Sequence, residues 1–96
     1  MLMEIAHILY VAEEKYANKD YRGAKSDYLR LLNKDIPAEE KEKIYGRLLS
    51  CCVKTGDKRA KSFFKKISGN DALISCYFSS VAKIGVPDVL KKRFTF

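Results

Sequence analysis

Residues Asn18–Leu32 read NKDYRGAKSDYLRLL. The pattern predicts a helix that begins near Asp20 and runs to about Lys34. Tyr21, Ala24, Tyr28 and Leu31 recur at three- and four-residue spacing and so share one face. A small residue one turn before an aromatic lets a second helix come close at one level and be wedged by a ring at the next. Such a face demands a specific helical neighbour, which the rest of the chain has to supply.

The same spacing of apolar residues recurs from end to end, and the alternation of a β-strand is absent. Six helices are expected. The first runs from about Leu2 to Ala17 and buries Ile5, Leu9, Ala12 and Tyr16; the second is the stretch above. The third is capped by Asp35, with Pro37 in its first turn and Glu39, Glu40 and Glu42 at the positive end of its dipole. It continues to about Lys54 with Ile44, Tyr45, Leu48 and Cys52 inward. Gly56 ends it and Asp57 caps the fourth, whose stripe is Ala60, Phe63, Phe64 and Ile67. After Gly69, Asn70 or Asp71 starts a fifth helix that buries Leu73, Ile74, Tyr77, Phe78, Val81 and Ile84. Gly85 stops it, and Pro87 opens a short sixth through about Arg93, with Val89, Leu90 and Phe94 apolar.

Short connections force successive helices into antiparallel hairpins, and the hairpins repeat. KDYRGAKSDYLRLL superimposes on GDKRAKSFFKKI, which sets Ala24 against Ala60, Tyr28 against Phe64 and Leu31 against Ile67. Tyr45, Leu48 and Cys52 likewise match Ile74, Tyr77 and Val81, with Gly56 and Gly85 at the same place after them. A period of about 30–36 residues is that of a helix-pair solenoid.

On these residues the chain resembles the tetratricopeptide repeat family. Repeat one carries Asp20, Tyr21, Ala24 and Tyr28, with Lys19 where the family's turn glycine stands and Ile8 or Leu9 at the first-helix aromatic position. Repeat two carries Tyr45, Leu48, Gly56, Asp57, Ala60 and Phe64. Repeat three keeps Ile74, Tyr77 and Gly85, but Leu90 replaces the small residue, so its second helix packs less closely. The resemblance implies an all-α fold of three antiparallel hairpins stacked as a short right-handed superhelix, with repeats at about 2–35, 36–68 and 69–96 of one domain spanning 1–96. It also implies a non-catalytic adaptor or assembly subunit that binds a peptide or protein surface along the first helix of each pair.

Ninety-six residues with 47% hydrophobic and 32% charged content fit one folded domain. No apolar run approaches the roughly 18 residues of a membrane span. The opening MLMEIAHILYVAEE lacks a basic leader and carries Glu4, Glu13 and Glu14, so it does not read as a signal peptide; the expectation is a cytoplasmic or nuclear protein. Cys51, Cys52 and Cys76 all fall among apolar residues, with no C-x-x-C and one histidine, and read as buried reduced thiols rather than metal ligands. His7 has no nucleophile or carboxylate at a recognisable spacing, and the glycines form no phosphate-cradling loop. An enzyme, a cofactor and a small-molecule substrate are not expected.

The surface carries what function remains. Residues 1–53 hold nine Lys/Arg and nine Asp/Glu, so the net charge of +7 lies in residues 54–96. Lys43, Arg47, Ser50 and Lys54 form a stripe on the third helix, and Ser75, Ser79 and Lys83 follow on the fifth. These are the candidate groove, suited to an acidic or C-terminal peptide. The first helix offers Glu13 and Glu14, a departure from the family's chaperone-tail binders, which place a Lys and an Asn there. Phe94 and Phe96 in the terminal FTF, ringed by Lys91, Lys92 and Arg93, are a candidate docking patch. The alternative partner is RNA or a ribonucleoprotein such as the ribosome, held by Lys58, Lys61 and Lys65 with Lys91, Lys92 and Arg93. Against it, Phe63 and Phe64 are committed to the core and leave no aromatic for base stacking.

Overall fold

A computed structural model describes residues 3–84 of the chain. Those residues form six helices and no strand: α1 (Met3–Ala17), α2 (Tyr21–Leu32), α3 (Ala38–Thr55), α4 (Ala60–Ile67), α5 (Asp71–Cys76) and α6 (Phe78–Lys83). No described helix is long and apolar enough to cross a membrane.

Polar contacts fix how the helices run. Glu4 at the start of α1 meets Lys34 just past α2 at 3.2 Å, and Lys15 near its end meets Asp27 at 2.9 Å, so α1 and α2 are antiparallel. Lys25 near the start of α2 reaches Thr55 and Asp57 at the far end of α3, at 3.2 and 3.0 Å. The Tyr45 and Phe63 rings stack between α3 and α4, centroids 6.2 Å apart. By contrast, Glu13–Arg47 and Tyr16–Ser50 join α1 to α3 in the same direction, as Glu42–Asn70 joins α3 to α5. Thus α1, α3 and α5 run one way, and α2 and α4 run back.

The local signals explain the helix ends. Asp20 accepts a hydrogen bond from the Gly23 N–H at 3.1 Å, the expected cap of α2. Gly56 ends α3 in the left-handed conformation, φ 74°, and its N–H returns to the Cys52 carbonyl. Lys19, at the corresponding place after α1, is also left-handed, φ 65°. A residue with a Cβ is strained there. Pro37 itself is the cap residue of α3, and among the described residues no side chain, Asp35 included, caps that helix.

The face identified in α2 is buried as expected: Ala24, Tyr28 and Leu31 are wholly inaccessible. Ala60, Phe63, Phe64 and Ile67 of α4 are buried too, and they join one core with Ile5, Ile8, Leu48, Leu49, Ile74 and Val81. Each of the larger aliphatic side chains contributes about 2 kcal/mol by leaving water. In α1 Ile5, Ile8 and Ala12 are buried, while Leu9 is turned half outward.

The fifth helix departs from expectation. It breaks at Tyr77 (φ −107°, ψ 29°) into α5 and α6. The run Ser75–Ser80 is made of residues with middling helix propensity, so tertiary seating of one ring outweighs helical continuity. Beyond the break the apolar phase shifts: Ser80 and Val81 are buried, whereas Phe78 is 40% exposed. Cys76 is exposed as well, so only two of the three thiols are in the interior. The expected short helix from Pro87, with Leu90, and the terminal Phe94 and Phe96, lie outside the described residues.

Candidate binding groove

A cleft of about 310 Å³ opens where the three parallel helices meet. Leu9 and Glu13 come from α1, Glu40, Lys43, Ile44 and Arg47 from α3, and Leu73 and Cys76 from α5, with Tyr77 at the break. Its walls are mainly apolar. The half-outward rotation of Leu9 and the exposure of Cys76 are therefore both features of this cleft. A shallower continuation follows α3 and α5 toward their first turns, past Glu39, Glu42 and Asn70.

One contact sets the spacing of α3 and α5. The Tyr77 ring lies directly over the bare Cα of Gly46, where a Cβ would collide with it. Sequence reasoning did not single out Gly46. An isolated glycine within a strong helical pattern is the signal that finds it. Asn70 holds the same pair together from the other end, as it caps α5 through the Leu73 N–H at 3.1 Å and donates to Glu42 at 2.8 Å.

The expected cationic stripe is not a free one. Arg47 pairs with Glu13 at 3.1 Å and its guanidinium lies 4.2 Å from the centroid of the Tyr16 ring. Lys43 is exposed and pairs with Glu40 at 3.6 Å. Ser50 is buried, its hydroxyl sharing a 2.8 Å hydrogen bond with that of Tyr16, so it serves the α1–α3 contact instead of an open surface. Lys54 is exposed at the far end of α3, 6.0 Å from the Tyr21 ring. Ser75 and Ser79 are exposed but separated by the helix break. Glu13, Glu39, Glu40 and Glu42 thus line the groove beside the two engaged cations, Lys43 and Arg47.

Lys83 also sits elsewhere. It lies with Lys58 and Lys61 around a shallow hollow that Asp57, Ala60 and Ile84 complete. Lys58, Lys61 and Lys65 are exposed on and just before α4, as expected, while Lys91, Lys92 and Arg93 lie outside the described residues. His7 is exposed on α1. Among the described residues no group of His, Cys, Asp or Glu side chains is arranged to hold a metal ion.

Burial governs the ionisation of the interior thiols, pushing Cys51 up to about 12 and Cys52 up to about 11. The Tyr28 hydroxyl is fully enclosed and has no hydrogen-bond partner among the described residues, and burial first, then the nearby Glu13 carboxylate, raises its pKa far above that of a free phenol. Asp27, absent from the sequence expectations, is a nearly buried carboxylate held by Lys15 at 2.9 Å and Arg30 at 3.4 Å.

No protein-family model, curated protein or solved structure matches the chain.

Proposed function

We propose that this chain is a non-catalytic protein-interaction module of tetratricopeptide-like build, a small adaptor or a subunit of a larger assembly. The observation that carries the reading is the cleft with apolar walls between α1, α3 and α5, three helices that run in the same direction and present one continuous face. The repeat correspondence supports it as well. Ala24 and Ala60, Tyr28 and Phe64, and Leu31 and Ile67 are buried in matching pairs, and Lys19 and Gly56 share the left-handed turn. In this reading the hairpins stack as a short right-handed superhelix.

The groove suits a segment that places an apolar side chain against Leu9, Ile44 and Leu73 and carries Lys or Arg toward Glu39 and Glu40. Affinity capture with the full chain tests this. Cys76→Arg fills the cleft from an exposed position and puts a cation where the partner's would be, so it should abolish capture while the circular dichroism spectrum stays unchanged. Equal recovery of the same partner by wild type and Cys76→Arg would overturn the proposal.

A further inference from the structure

Two hollows lie side by side at the end of the molecule where the helices turn. Lys19, Asp20, Tyr21, Arg22, Lys54 and Thr55 form the first. The second is the one that brings Lys83 to Lys58 and Lys61. Lys25 joins them, since its ammonium bonds both Thr55 of the first and Asp57 of the second. Six cations from four separate segments thus converge on one face: Lys19, Arg22, Lys54, Lys58, Lys61 and Lys83. All are exposed, and none forms an ion pair among the described residues. The opposing carboxylate of the second hollow, Asp57, is already engaged by Lys25 and Arg59 at 3.0 and 2.9 Å.

The first hollow adds what sequence reasoning found missing. Tyr21 is half-buried, held edge-on by Tyr16 with centroids 5.6 Å apart, and lines the hollow between Lys19, Arg22 and Lys54. A rigidly held aromatic among cations is the combination on which single strands bind, a base stacking on the ring while lysines neutralise the phosphates. A protein interface asks instead for an apolar centre, and this face is built largely of charged and polar side chains.

We propose that this face binds single-stranded nucleic acid, with a base on Tyr21 and the backbone running past Lys54 toward Lys58, Lys61 and Lys83. The site lies apart from the groove and does not depend on it.

Fluorescence anisotropy of the full chain with short labelled oligouridylate and oligothymidylate is the test. For about five phosphate contacts, affinity should fall about a hundredfold between about 50 and 200 mM salt. Changing Lys58, Lys61 and Lys83 to Gln should lower the log–log salt slope by about two. Tyr21→Leu should weaken binding about tenfold, and Tyr21→Phe should leave it unchanged. If Tyr21→Leu unfolds, the three-lysine variant still decides through its slope, because those side chains are exposed. A preference for one oligomer reports a contact to the 2′-hydroxyl or to the thymine methyl group, and either supports the site. Cys76→Arg should bind both as wild type does. Absence of binding, an unchanged slope in the three-lysine variant, or equal affinity for phosphatidylserine vesicles or polyglutamate would overturn the proposal.

Discussion

The guanidinium of Arg47 lies over the Tyr16 ring, 4.2 Å from its centroid, while it pairs with Glu13 one turn earlier on α1. One side chain of α3 therefore grips α1 at two successive positions, and its other neighbour is the Tyr77 ring, at 5.9 Å. Arg47 is a structural clasp at the wall of the groove.

A lysine cannot reproduce that clasp, because it lacks the planar fork. Arg47→Lys should cost about 1 kcal/mol in denaturant unfolding. In a double-mutant cycle with Tyr16→Leu the coupling should be of similar size. Strict additivity would show that the cation–ring contact contributes nothing.

Gly46→Ala places a methyl group into the Tyr77 ring. It should destabilise the protein by about 1–3 kcal/mol despite the better helix propensity of alanine. Tyr77→Ala should relieve the collision, so the double variant should lose less than the sum of the single losses. The comparison is read from thermal melts of the four proteins.

Lys19→Gly should stabilise the fold by roughly 1 kcal/mol, since the left-handed backbone at φ 65° is free of strain only without a Cβ. An unchanged or lower melting temperature would contradict this account of the α1–α2 turn.

Asp57 gives the acid limb of stability its direction. The side chain and backbone N–H of Arg59, then Lys25, hold its carboxyl well below the ordinary 3.8. Its folded pKa is depressed, so the stabilisation is complete above the unfolded value and is lost as pH falls through the folded one. Urea unfolding below about pH 4 should show this decline, and Asp57→Asn should flatten it.

Thiol labelling should separate the cysteines. At mildly alkaline pH one equivalent of reagent should react quickly at exposed Cys76, and Cys51 and Cys52 should react only on unfolding, because burial withholds both access and thiolate. Peptide mapping identifies the site, and rapid modification of Cys51 would contradict the packing of α3.

The inward faces Ala24, Tyr28 and Leu31, with Ala60, Phe64 and Ile67, are legible in the amino-acid sequence, as are the Asp20 cap and the Gly56 stop. All depend on helical periodicity or on backbone chemistry within a few residues, which a linear pattern records directly. The break at Tyr77, the burial of Ser50 and Asp27, the pairing of Arg47 with Glu13, and the meeting of Lys83 with Lys58 and of Tyr21 with Lys54 are not. Most of these arise between helices far apart in the chain, where rotation by a fraction of a turn chooses which side chains meet. That rotation is set by the summed packing of the whole core, such as one ring seated on Gly46, and no local stretch encodes it. The helices and their inward faces therefore belong to the amino-acid order, while the groove and the basic face exist only once those helices are packed.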